Sequence, residues 1–189
     1  KWTKKTYRIM YLADNNSQGS VTDQFKEHGT PITLESAGYF NRKGYAQTGW
    51  ATDTNGAKVY DFGASYEDDA PLTLYPAWSD PIVYTITYVC EGCVNDPKNP
   101  ETYTVLTSTG IKYASSAPEG YRFAGWFSDK QFTKKVTKIE SGTIGDLTLY
   151  GKLNKIYKIT YVGTDKPYCD ALYTVDDAIT LRNPADSAG

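Results

Sequence analysis

A short alternating pattern, Tyr-x-Ile-x-Tyr, occurs three times, and its recurrence restricts the fold more than any other feature. It stands at Tyr7-Arg8-Ile9-Met10-Tyr11, at Tyr84-Thr85-Ile86-Thr87-Tyr88 and at Tyr157-Lys158-Ile159-Thr160-Tyr161. Side chains alternate across a strand, so Tyr, Ile and Tyr line one apolar face. The residues between them are mostly Thr, Lys or Arg, as on the solvent face of an antiparallel sheet. Two further blocks recur in the same order. Gly44-Tyr45-Ala46-Gln47-Thr48-Gly49-Trp50 matches Gly120-Tyr121-Arg122-Phe123-Ala124-Gly125-Trp126, and Leu72-Thr73-Leu74-Tyr75-Pro76-Ala77-Trp78 matches Leu147-Thr148-Leu149-Tyr150-Gly151-Lys152-Leu153. Ordered blocks sharing an offset of roughly 75 residues mark a duplicated unit.

A short middle strand is expected between the first two blocks, at Pro31–Leu34, Tyr103–Leu106 and Ala178–Leu181. The expected modules are residues 1–80, residues 81–155 and, as the first half of a third, residues 156–189. Ser79-Asp80-Pro81 and Asn154-Lys155 read as linkers, with Pro81 restricting itself and Asp80. Neighbouring modules would then form a semi-rigid rod. Seventeen Tyr against one Met favours half-buried strands over helices, so the fold class is mainly β or α+β. The chain reads as a fragment of a longer protein.

Charge excludes some partners. Twenty Lys and Arg against 22 Asp and Glu leave a formal charge of −2, without the basic surface of a nucleic-acid binder. No apolar run is long enough to span a bilayer.

These blocks resemble the Listeria–Bacteroides repeat, the family that includes the B-repeat of the listerial internalin invasion protein. The first unit carries the resemblance through Gly44, Tyr45, Gly49, Trp50, Leu74, Tyr75, Ala77 and Trp78. The second does so through Gly120, Tyr121, Phe123, Gly125, Trp126, Leu149 and Tyr150, but has Gly151 and Leu153 where Ala and Trp are usual. The resemblance implies β-grasp-like modules in tandem on extracellular, cell-surface or wall-attached bacterial proteins. It brings no catalytic residue and no cofactor. It implies spacing, adhesion and contact with a host or matrix protein, with envelope glycan, or with neighbouring modules.

The residues support that reading independently. Tyr45 and Gly49 are expected on one strand face and Trp50 on the other. Gly inside a strand marks a bulge or a close approach, here expected to admit a neighbouring aromatic ring. Trp50 and Trp126 are expected in the core.

Catalytic chemistry has little to work with. His28 is the sole histidine and reads as a solvated loop residue. Cys90-Glu91-Gly92-Cys93 could be a redox pair, half of a zinc site or a disulfide closing a turn. The oxidising compartment implied by the resemblance favours the disulfide, leaving Cys169 unpaired or bridging units. Glu67-Asp68-Asp69 and Asp176-Asp177 read as solvated turn residues with at most weak calcium affinity. The lysines between Lys130 and Lys138 read as the charged edge of a sheet, or as a contact for anionic wall polymer.

The expected function is a non-catalytic surface spacer and interaction or adhesion module. The competing expectation is a carbohydrate-binding module that stacks sugars on exposed Tyr75 and Tyr150, which lie opposite Leu74 and Leu149 on the closing strand.

Overall fold

The alternation in Tyr7, Ile9 and Tyr11 is realised as a strand with all three side chains buried and its Thr6 and Arg8 exposed. The structure, a computed structural model, describes residues 2–160 and 171–181. These form two compact units. Unit 1 comprises residues up to Val83 with the short segments Thr104–Thr107 and Ser141–Ile144, and unit 2 takes the remaining described residues.

Unit 1 contains β1 (Thr6–Tyr11), β2 (Gln24–Glu27), β3 (Ile32–Thr33), β4 (Gln47–Ala51), β5 (Ser65–Tyr66) and β6 (Leu72–Trp78). The sheet order is β2-β1-β6-β4, with β3 and β5 paired separately. The central strands β1 and β6 run parallel, and each flanking strand is antiparallel to its neighbour. Parallel strands need a crossover connection, and here the chain between β2 and β6 supplies it while contributing β3, β4 and β5. One sheet face is filled by Ile9, Tyr11, Leu34, Phe40, Trp50, Tyr66 and Leu74. Trp50 is its centre, with ring centroids of Tyr11, Phe40 and Phe62 at 4.7, 6.1 and 5.9 Å.

Unit 2 repeats the plan with β7 (Tyr84–Val89), β8 (Thr102–Tyr103), β9 (Thr109–Gly110), β10 (Tyr121–Phe127), β11 (Lys135–Val136), β12 (Lys138–Ile139) and β13 (Leu147–Lys155). Its sheet order is β11-β10-β13-β7-β8, with β7 and β13 parallel. Ile86, Tyr103, Ile111, Phe123, Trp126, Ile139 and Leu149 fill its core. A final hairpin, β14 (Tyr157–Ile159) with β15 (Ala171–Tyr173), sets Tyr157 opposite Tyr173, as β7 and β8 set Tyr84 opposite Tyr103. The structure is mainly β, and the described residues contain no helix.

Two expectations need correction. Tyr103–Leu106 is not the counterpart of Pro31–Leu34: Thr102–Tyr103 pairs with β7, in the role of β2 beside β1, and Leu106 is exposed. The counterpart of β3 is β9, since β3 pairs with β5 and β9 with β12. Two-residue strands carry no readable period, so apolar spelling misplaced this one. Asn154-Lys155 is not a linker either. Both residues belong to β13, opposite Arg122 and Tyr121.

Candidate functional site

The motif residues that identify the repeat lie largely inside it. Trp50 and Trp126 are 0% and 2% exposed. Each indole is satisfied by a backbone carbonyl: Trp50 Nε1 donates to Glu35 O at 3.0 Å and Trp126 Nε1 to Lys112 O at 2.9 Å. A ring buried and hydrogen-bonded in this way fixes the core and has no face left for a ligand.

Gly49 and Gly125 sit at the register shifts of β4 and β10, which are bulges. The residue filling the space above each is a lysine stem, not the expected aromatic ring. A Cβ on Gly125 would stand 2.6 Å from Lys135 Cε, and one on Gly49 2.5 Å from the Tyr60 carbonyl oxygen and 2.7 Å from Lys58 Cδ. The long aliphatic chains cover the strand while their ammonium groups reach polar partners. Lys58 Nζ pairs with Asp61 at 2.6 Å, and Lys135 Nζ donates to Tyr113 Oη and Ala124 O, both at 2.9 Å. Because of the bulge, Gly49, Trp50 and Ala51 are all buried and do not alternate between faces.

Gly44 and Gly120 turn the chain into these strands with φ of +77° and +78°, a region that glycine occupies without strain. Tyr45 is half-buried beneath the Arg42 guanidinium, 4.1 Å from its ring, whereas Tyr121 is exposed. Tyr75 and Tyr150 are half-buried. Tyr150 lies opposite Phe127 and has the Lys130 ammonium 5.7 Å from its ring. The lysine-rich stretch contributes β11, the edge strand of the unit 2 sheet.

Asp69 of the first acidic run, and both residues of the second, have protein partners that local sequence did not reveal. Lys26 has a fully buried side chain and pairs with Asp69 Oδ1 at 2.6 Å. His28 Nδ1 lies 2.9 Å from Asp69 Oδ2 and 3.1 Å from the Tyr7 hydroxyl, and Gly29 N donates to Asp69 Oδ1 at 2.9 Å. His28 therefore lies in a polar cluster around Asp69, although its side chain remains 61% exposed. The Lys26 ammonium, followed by the Gly29 amide, holds the Asp69 carboxyl below the usual carboxylate range. In unit 2, Asp176 accepts from Asn154 Nδ2 and pairs with Lys152 at 3.2 Å, and Asp177 pairs with Arg122 at 2.7 Å and accepts from Thr174 N at 2.7 Å. Asp14 is buried, which raises its pKa, but Trp78 Nε1 at 2.6 Å, Asn16 N and Ser17 Oγ outweigh that and hold it low. These groups are matched to one another as structural pairs.

Cys90 and Cys93 form a disulfide. Cys169 lies outside the described residues. A Cβ on Gly151 would stand 2.6 Å from Cys90 Sγ and 2.9 Å from Phe123 Cε2, so the departure from the family pattern at Gly151 makes room for the bridge. Among the described residues no three His, Cys, Asp or Glu side chains converge in a metal-holding group.

The geometry is thus that of two similar modules whose aromatic motif residues build their cores. The profile of the Listeria-Bacteroides repeat domain matches residues 7–76 and again residues 84–152. The chain belongs to the Listeria-Bacteroides repeat family. The first match opens on Tyr7 in β1 and ends on Pro76 in β6, so it takes in β2 to β5 whole and all but the outer ends of β1 and β6. Among curated proteins, a "Putative Gly-rich membrane protein" of Evansella cellulosilytica is 26% identical over 162 residues, covering 85% of this chain. The chain spans only 18% of that protein's length. No solved structure matches the chain. The repeat family and the relative agree with a surface-associated repeat protein, and no helix among the described residues is long and apolar enough to cross a membrane.

Proposed function

We propose that this chain is a non-catalytic spacer and interaction module of a bacterial cell-surface protein. The observation that carries the reading is the tandem family match, in which both copies commit their motif tryptophans to cores. A protein that repeats one self-filled module gains reach and surface with each copy without building a cleft. The relative described as a membrane protein, much longer than this chain, supports placement of such repeats within a larger envelope-associated protein. Contact with a host or matrix protein, or with envelope glycan, would then use the outer strand faces and loops.

A binding panel tests the interaction half of this proposal. The purified chain is presented to immobilised matrix proteins and to bacterial wall glycan, with a chain carrying Trp50→Ala and Trp126→Ala as the unfolded control. Saturable binding to a matrix protein or wall glycan that the control lacks supports the reading. Absence of binding to either class contradicts the interaction role.

A further inference from the structure

In unit 1, the loop between β1 and β2 and the loop between β3 and β4 enclose a recess of about 290 Å³, lined by Asn16, Gln18, Asn41 and Lys43. The backbone around it is tied down from behind. Asn16 N donates to Asp14 Oδ1 at 2.8 Å, and the buried Asp14 in turn accepts from Trp78 Nε1. Gln18 and Asn41 exchange both backbone hydrogen bonds, at 2.9 and 2.8 Å. A Cβ on Gly19 would meet the Tyr39 carbonyl oxygen, so the close approach of the two loops needs a glycine there. The lining side chains, by contrast, are uncommitted. Among the described residues the carboxamides of Asn16, Gln18 and Asn41 and the ammonium of Lys43 make no hydrogen bond or ion pair.

Unit 2 shows that the fold does not require this lining. The bridge between Gln18 and Asn41 recurs there between Val94 and Ser116, and Pro118 O accepts from Tyr121 N as Arg42 O does from Tyr45 N. In unit 2 the same two loops close on each other: a Cβ on Gly92 would stand 2.7 Å from Pro118 Cγ. The carboxamides nearby are consumed, since Asn99 Nδ2 donates to Asn95 Oδ1 and to Lys112 O. The open, amide-lined recess is therefore a property of unit 1 and not of the module.

We infer that this recess is a binding site for a saccharide that carries a carboxylate. A carboxamide offers donors and an acceptor in one plane, which suits the adjacent hydroxyls of a sugar ring, and an ammonium gives an acid group a charge-assisted donor. The neighbouring charges are already engaged: Asp14 faces inward on Trp78 and Asn16 N, and the Arg42 guanidinium lies over Tyr45. That leaves one positive charge in the recess, which matches one carboxylate better than a phosphate group of nearly two negative charges. The volume sits at the lower end of small-ligand sites, about 300 Å³, and suits a single sugar residue. The inference rests on the glycan arm of the proposed function and assigns it to the loops of unit 1.

Titration of the isotopically labelled 189-residue chain with glucuronate, glucose and inorganic phosphate, followed by NMR, tests the inference. Glucuronate is expected to shift the side-chain amide signals of Asn16, Gln18 and Asn41 saturably, with at least about tenfold higher affinity than glucose or phosphate. The backbone signals of Val94 and Ser116 stay in place. Lys43→Gln removes the preference over glucose and Asn41→Ala weakens binding, while unchanged signals in β1 and β6 certify that each variant is folded. No saturable shift in the three side-chain amides overturns the inference. So does glucose or phosphate binding as tightly as glucuronate, or glucuronate binding that both substitutions leave unchanged. Wall-glycan binding that persists in an Asn41→Ala/Lys43→Gln chain overturns this site alone and leaves the proposed function standing.

Discussion

The stem of Lys135 lies across Gly125, with its Cε 2.6 Å from where a Cβ would stand. Gly125 also has φ of +140°, which L-residues with side chains seldom adopt. Gly125→Ala is expected to cost about 1–3 kcal/mol, mostly from the backbone, because the lysine end can swing away. Gly49→Ala costs more, since the nearest atom there is the Tyr60 carbonyl oxygen at 2.5 Å, which is fixed in the chain. Urea unfolding of the two variants followed by tryptophan fluorescence checks the order.

Trp50 and Trp126 fill equivalent sites, so their substitutions should behave alike. Trp→Ala at either position is expected to remove about 3–5 kcal/mol. Trp→Phe keeps most of the packing but leaves the Glu35 or Lys112 carbonyl without its indole donor, for about 1–3 kcal/mol. Thermal unfolding of the four single variants checks both the sizes and the parallel.

A side chain at position 151 and the Cys90–Cys93 bridge would need the same space. Gly151→Ala is expected to destabilise unit 2 by about 1–3 kcal/mol through overpacking. In a Cys90→Ala/Cys93→Ala background the loss becomes smaller, though the Phe123 ring still limits the gain. The difference between the two denaturation midpoint shifts measures the coupling.

Asp69 links charge to stability. Its folded pKa lies below the usual value, so its contribution is complete above the ordinary carboxylate pKa of about 3.9 and is lost as pH falls through the folded value. Unit 1 should weaken on acidification below about pH 4, and Asp69→Asn should lower stability at neutral pH while flattening that decline. Removing Asp69 strands the fully buried Lys26 ammonium, whereas Lys26→Met leaves a carboxylate that water can reach. Asp69→Ala should therefore be the more damaging change. Urea midpoints collected across the acid range test both statements.

The sequence disclosed the modules through features with local spelling. Tyr-x-Ile-x-Tyr marks the first strand, and paired glycines mark the turn and the bulge before the buried tryptophan. It did not disclose β9, because a two-residue strand has no period. Nor could it show that Lys58 and Lys135 would cover the bulge glycines, a role expected of aromatic rings. The Lys26–Asp69 pair was hidden for another reason: its members are far apart in the chain, and solvated turns are rich in the same residue types. Charge runs read alone look solvent-facing, and only the fold supplies their partners.

The most direct test of the spacer reading displays an epitope on a bacterial surface above zero, one or two of these modules and measures antibody access in flow cytometry. The account predicts that access rises with each module, and that His28→Ala leaves it unchanged. Access that is the same for zero, one and two modules would contradict it.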